Sequence, residues 1–302
     1  MGAAVRLARL LRRERIDLVE AYGFKCGLVA RVACLLGRRP ALVIAVRGLH
    51  FTEAEDPDGL KTRFVLAVER ALEPTVARYD ANSRGARNFL VGRGFAASRF
   101  TVIVNGVDAE SVPAANLAVH TGPPAIVCVA RFVPRKRHDV LIRALAQVRD
   151  AGQDFRCELI GYGPTVAEAE ALVAEFGLGD RVGFAGRLDQ PAIARRLATA
   201  DIFILTSLWE GMPGSVLEAM AAALPVVGSD VNGTNEVIVS GVTGTLVPPA
   251  DVEATAAALL ELARDPGLRV RMGRAGRERI EREYSFERVV AEKEAFYCEL
   301  LG

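Results

Sequence analysis

Histidine, tryptophan and paired cysteine are scarce in this chain, and each scarcity removes a class of chemistry. Only His50, His120 and His138 occur in 302 residues, and none has a second ligand at metal spacing, so no metal site is expected. His50 alone is placed for catalysis, because His120 falls in a stretch read as a linker. The five cysteines, Cys26, Cys34, Cys128, Cys157 and Cys298, form no C-x-x-C pair. That spacing excludes a zinc cluster and a disulfide framework and fits a reducing cytoplasm. No apolar run is long enough to span a bilayer, and the first fifteen residues, with Arg6, Arg9, Arg12, Arg13 and Arg15, lack a continuous signal-peptide core. Arg6 stands where a myristoylation signal needs Ser or Thr. There is no tandem repeat and no low-complexity tract.

What is present is enough for two medium cores. About half of the residues are apolar and a quarter charged, which at this length favours two domains. The net charge of +1 hides an asymmetry: residues 1–110 carry 18 Lys and Arg against 12 Asp and Glu, and residues 111–302 carry 20 against 25. A basic first half suits an anionic surface or ligand, including peripheral contact with the inner face of a membrane, although solvated helix faces account for most such excesses.

Apolar periodicity predicts helices at 3–14, 25–36, 60–72 and 85–91, alternating with strands at 16–21, 41–46, 76–81 and 100–104. The stretch 109–124 breaks the pattern with Pro113, Gly122, Pro123 and Pro124 and reads as a linker. A second run follows, with strands at 125–130, 157–160, 182–185, 202–206 and 226–228 and three closing helices from Val252 onward. This is the grammar of α/β folds with parallel sheets. The predicted organisation is a first domain over 1–108, a linker over 109–124, a second domain over 125–284 and a closing helix over 285–302. The first domain opens on a helix, so its sheet lacks the strand that normally starts such a fold.

The richest segment is 200–237. Glu210 and Glu218 stand with seven residues between them, beginning with Gly211, Met212, Pro213, Gly214 and Ser215. Glycines allow close backbone approach, Pro213 stiffens the turn, and a helix from about Ser215 points its positive end at the loop, so a phosphate suits that place. The carboxylates should flank it, Glu210 on the loop and Glu218 in the first helical turn. Trp209 reads as a wall of the loop. In ARFVPRKRHD, Arg131 and Lys136 follow a strand, where open sheets bind ligands, and could hold a diphosphate. A solvated basic loop is the plainer account. Gly161-Tyr162-Gly163-Pro164 lacks the third glycine and the acidic partner of a dinucleotide fingerprint and is read as a strand-to-helix turn. Asn105-Gly106 is primarily a turn signal, and Arg47-Gly48-Leu49-His50 follows a buried strand.

The order NGVD, ARFVPRK, LIGYGP, VGFAGRL, E-x7-E, PVVGSDVNGTNEVI and TGTLVPPAD resembles glycosyltransferase family four, the "group 1" retaining GT-B enzymes. The resemblance covers 100–302 and runs more weakly back through IDLVEAYGFKCGLVARVA. It implies two Rossmann-like domains with parallel sheets facing a cleft, the first incomplete here, and transfer of a hexosyl group from a nucleotide sugar to an acceptor hydroxyl with retention. It also implies that Arg131 and Lys136 hold the donor diphosphate, that Glu210 lies by the donor sugar and that Glu218 binds the ribose. The backbone of 211–215 would contact sugar and phosphate, with Gly161, Gly183 and Arg187 near the base or ribose. Arg47, His50 and Asn105 would belong to the acceptor side. The implied partners are a UDP- or GDP-linked donor and a glycan or lipid-linked acceptor in cell-surface glycan synthesis, with no cofactor, no metal and no nucleic acid. Two departures stand out: the opening strand with its glycine-rich loop is lacking, and Arg47 replaces the usual His before Gly48. The alternative reading is a non-catalytic or truncated nucleotide-sugar-binding protein.

Overall fold

The computed structural model describes residues 2–37, 39–47, 59–115 and 122–302. His50, His120 and the middle of the expected linker lie outside them. The chain forms two compact units, one made of Met1–Asn105 together with Val289–Gly302, the other of Gly106–Arg288.

In the first unit the order is α1 (Gly2–Arg13), β1 (Leu18–Tyr22), α2 (Phe24–Leu36), β2 (Ala41–Val46), α3 (Leu60–Ala71), β3 (Arg78–Ala81), α4 (Arg84–Val91) and β4 (Phe100–Val102). The strands pair in parallel in the order β1-β2-β3-β4. The segment ALVIAV reads as one apolar run because both faces of β2 are buried, as parallel sheets require. Ile44 and Val46 pack with Leu66, Tyr79 and Leu90 on one face. Val43 packs on the other with Ile103 and Phe296. Phe296 belongs to α12 (Phe286–Leu301), so the closing helix supplies most of its length to the first unit's core. Helices α2 and α3 are joined by a buried pair in which Arg31 donates to both Glu69 oxygens at 3.0 and 2.6 Å.

The second unit holds β5 (Ala125–Val129), α5 (His138–Asp150), β6 (Arg156–Ile160), α6 (Val166–Glu175), β7 (Val182–Gly186), α7 (Gln190–Leu197) and β8 (Ile202–Leu205). There follow α8 (Gly214–Ala221), β9 (Val226–Ser229), α9 (Thr234–Val237), β10 (Gly244–Val247), α10 (Val252–Arg264) and α11 (Pro266–Glu283). The sheet is parallel, in the order β10-β9-β8-β5-β6-β7. β10 and α9, four residues each, are not among the elements expected from periodicity. The winding starts at β5, runs outward through β6 and β7, then reverses to β8 on the other side. The loops leaving β5 and β8 therefore sit at a topological switch point, where open α/β sheets take ligands.

Candidate active site

The loops after β5 and β8 are tied together by backbone and hydroxyl bonds. The Thr206 hydroxyl donates to the carbonyls of Lys136 (3.1 Å) and Arg137 (2.9 Å), and the Leu208 amide donates to the Arg135 carbonyl at 2.8 Å. A single 3-10 turn, Pro134–Lys136, ends at Arg137 in the left-handed region (φ 49°), which turns the chain into α5. Asp139 clasps Arg137 with both oxygens at 2.8 Å, and that bond holds the Asp139 carboxyl below its ordinary pKa.

This arrangement brings three charges together. The Lys136 ammonium pairs with Glu210 Oε1, and Arg135 Nη1 lies 3.5 Å from Glu210 Oε2. Lys136 and Glu210 are 9% and 8% exposed. Neither would be retained so deep without a partner, because an isolated buried charge costs several kcal/mol, by an order-of-magnitude rule. The Arg135 guanidinium also sits 4.5 Å from the centre of the Trp209 ring. Arg131 is exposed on the same connection and, among the described residues, has no bridging carboxylate. His138 is stacked on Phe132, with ring centres 4.0 Å apart. Burial, reinforced by the Lys136 charge, pulls its pKa down to about 4, so it is neutral at physiological pH.

Downstream of Glu210, Gly211, Met212 and Pro213 are buried while Gly214 is exposed and Ser215 half-buried. The burial has a local cause. Gly233, with φ +81°, packs so closely that a Cβ there would fall 2.0 Å from the Gly211 carbonyl oxygen. No side chain caps α8, so its first N–H groups are left for another acceptor. Glu218 falls in the second turn of α8, not the first as expected, because the helix begins at Gly214. It accepts a hydrogen bond from Gln190 Nε2 at 2.8 Å, and burial pushes its pKa up against that bond. Both residues line a cleft of about 440 Å³ with Gly106, Asp108, Ser111 and Pro191.

At the ends of β6 and β7, Gly161 (φ +152°) lies against the first loop, where a Cβ would come within 1.8 Å of the Ala130 oxygen. The Phe132 amide donates to the Tyr162 carbonyl at 2.9 Å. The Arg187 guanidinium stands 5.1 Å from the centre of the half-exposed Tyr162 ring. Gly183 is elsewhere: it lines a different cleft, of about 480 Å³, with Ala125, Arg156 and Arg181 at the amino ends of the strands.

In the first unit, Arg47 leaves β2 and pairs with Asp80 on β3, with Glu20 of β1 at 3.7 Å. Lys293 of α12 reaches Asp80 and also Glu20, the latter at 2.7 Å, and the Tyr297 hydroxyl donates to Glu20 at 2.5 Å. Burial raises the Asp80 pKa. Glu20 is pushed up by burial too, but its bonds from Lys293 and Tyr297 outweigh that and hold it low. Asn105 closes the first unit, half-buried.

The sequence model described as "Glycosyl transferases group 1" matches residues 114–279, and that described as "Glycosyltransferase Family 4" matches residues 1–111. The 2-deoxystreptamine glucosyltransferase of Streptomyces kanamyceticus is 30% identical over 317 residues, spanning 100% of this chain and 82% of that protein. The chain belongs to the group 1 glycosyltransferases. A second relative, the amylovoran biosynthesis glycosyltransferase AmsK of Erwinia amylovora, is 35% identical over 213 residues, which are 67% of this chain and 51% of AmsK. The chain thus spans about half the length of that relative. Among solved structures, Anabaena Alr3699/HepE in complex with UDP and glucose superposes with a TM-score of 0.86 at 20% identity, over 98% of this chain and 81% of that one. The two parallel-sheet α/β units are those of the GT-B fold.

Set against this group 1 frame, the structure brings Lys136 and Glu210 into contact and leaves Arg131 exposed on the same loop. It places Glu218 beside Gln190, and puts Gly183 at the wrong end of β7 for a ligand at the carboxyl edge. Sequence reasoning missed Arg135, Gln190 and Tyr162, and in the first unit Glu20, Asp80, Lys293 and Tyr297. Of these, Glu20 carried a signal, as an acid inside the otherwise apolar strand LVEAY.

Proposed function

We propose that the chain moves a hexosyl group from a nucleoside diphosphate sugar to an acceptor hydroxyl with retention of configuration. The observation that carries this reading is the buried Lys136–Glu210 pair at the switch point of the second unit's sheet, beside an uncapped helix end. In it, Lys136 and Arg131 meet the diphosphate, the amides of Gly214 and Ser215 cradle it, and Glu210 holds a hydroxyl of the donor sugar. Glu218 accepts from the ribose, and Tyr162 with Arg187 offers a stacking face for the base. The bond from the anomeric carbon to the phosphate oxygen breaks while a bond to the acceptor oxygen forms on the same face. The departing phosphate oxygen takes the acceptor's proton, and the developing negative charge is met by cations already in place. The charge is supplied by side chains, so this reading requires no resident cofactor or metal. Arg47, Asn105 and the Glu20–Asp80–Lys293 cluster belong to the acceptor side.

Relatives named for amylovoran biosynthesis and for mannosyl transfer to a phosphatidylinositol monomannoside support a glycan or lipid-linked acceptor in cell-surface synthesis, whereas the relative named for 2-deoxystreptamine takes a small-molecule acceptor. No helix among the described residues is long and apolar enough to cross a membrane. A cytoplasmic protein touching the membrane periphery fits the basic first half. The test is calorimetry with UDP, GDP and ADP, followed by NMR of the product formed from the matching sugar donor. Binding of one nucleotide and an unchanged anomeric configuration support the reading. An inverted product removes retention, binding without transfer leaves a nucleotide-sugar-binding protein, and no binding removes the donor site.

A further inference from the structure

Glu210 stands between two cations and is unequally shared. Lys136 holds Oε1 closely, whereas Arg135 reaches Oε2 only at 3.5 Å. A charge-assisted N–H to carboxylate bond closes to about 2.8 Å, so the arginine contact has roughly 0.7 Å of slack. The Arg135 side chain is held in place independently of Glu210. Its guanidinium lies over the Trp209 ring at 4.5 Å and reaches the Trp209 carbonyl at 3.4 Å. Its own carbonyl accepts from Leu208 at 2.8 Å. The arginine is thus fixed to the very loop that carries Glu210, on the side away from the lysine's oxygen.

An anion that is to use the Lys136 ammonium must compete with Glu210 for it. When Lys136 turns to a diphosphate, Glu210 loses its closest counter-ion while remaining 8% exposed, a costly state for a carboxylate. Arg135 is the group that can absorb that loss, by closing its slack contact. From this geometry we infer that Arg135 is a positioning residue: it takes over Glu210 as Lys136 is handed to the incoming diphosphate, and so sets the affinity for that anion without touching it. The inference rests on the reading of Lys136 as a diphosphate-binding residue.

The opposing signs of two substitutions test it. Arg135→Met leaves Glu210 with Lys136 alone, and diphosphate binding should weaken about ten-fold, the scale of one charged hydrogen bond. Glu210→Gln removes the competitor, and binding should tighten by a similar factor while turnover falls. In the Glu210→Gln background, Arg135→Met should change affinity less than about two-fold, because there is no carboxylate left to take over. Arg135→Lys should recover part of the loss, and Arg135→Gln, which keeps a polar side chain over Trp209, serves if the methionine variant does not fold. Affinities are read by calorimetry with UDP, GDP and inorganic pyrophosphate, alongside thermal melting. Wild-type affinity in a folded Arg135→Met or Arg135→Gln variant overturns the inference alone. So does an equal loss in both backgrounds, which would put Arg135 on the anion itself. A wild-type protein that binds none of the three probes overturns the functional reading and this inference together.

Discussion

Lys136→Met separates what the buried cation does for the fold from what it does for the reaction. The substitution keeps the apolar stem and removes the charge, leaving Glu210 with Arg135 at 3.5 Å. Breaking a buried pair by removing one partner typically costs about 3–5 kcal/mol. The remaining arginine offsets part of that, so a net loss of about 2 kcal/mol is expected. For a unit of this size that is roughly 4–8 °C in Tm. Turnover should fall further, by about 10²–10³, the usual effect of removing one aimed charge donor from a reacting centre. The assay is initial rate with the donor found by calorimetry, at a temperature well below the variant's Tm. Adding Glu210→Gln should restore most of the Tm and none of the rate, since it cures the stranded carboxylate but not the missing cation. Turnover within about three-fold of wild type in a folded variant, against the size expected of such a donor, would refute the role given to Lys136. An unchanged Tm would refute the energetic argument for the pair.

Other perturbations give readings of their own. Gly233→Ala would place a Cβ 2.0 Å from the Gly211 oxygen at a φ of +81°, and should lower both Tm and nucleotide affinity, whereas Gly152→Ala, with open space around it, should leave affinity intact. For His138 the folded pKa is about 4 against an ordinary 6.5. Stability is therefore complete above pH 6.5 and is lost as pH falls toward 4, by about 3 kcal/mol. His138→Phe should flatten that part of a pH series of melting curves, and an unaltered slope would place the titration elsewhere. Glu218 has the opposite sign: its folded pKa is raised by burial, so its ionisation destabilises the fold above the ordinary carboxylate range. Glu218→Gln should melt higher than wild type at pH 7.5, with the difference vanishing as pH falls through that range, and should bind nucleotide more weakly.

Legibility from sequence followed how local each determinant is. ALVIAV was read to the residue because a doubly buried strand is an uninterrupted apolar run. GTLV was not read as a strand, since four residues behind a glycine turn leave no period to detect. The helix after the E-x7-E loop starts at Gly214 with Pro213 as its N-cap, one residue earlier than its apolar pattern suggests, and that shift moves Glu218 into the second turn. Gly183 was misplaced because VGFAGRL was taken as one unit near the base, although Gly183 stands at the start of the strand and only its far end, Gly186, reaches the carboxyl edge. The partners of Glu210 were out of reach in a different way: the choice of Arg135 over Arg131 depends on the left-handed residue Arg137 and on bonds from Thr206 and Leu208, some 70 residues away. Lys293 and Asp80 are 213 residues apart, and nothing in either neighbourhood announces the other.

The path of the chain through its two units has a consequence for anyone recombining such proteins. The second unit is entered after Asn105 and left after Arg288, and just inside these two junctions the chain is bonded to itself. The Val107 amide donates to the Tyr284 carbonyl at 2.9 Å and the Phe286 amide to the Val107 carbonyl at 3.2 Å. Residues 106–288 thus behave as a cassette with adjacent ends, inserted into a host whose last helix is already committed by Phe296, Lys293 and Tyr297. A chimera built by a single crossover near residue 108 would graft a foreign α12 onto the Glu20–Asp80 cluster, whereas a double crossover at 105/106 and 288/289 would carry the second unit across whole and leave the host's charges balanced.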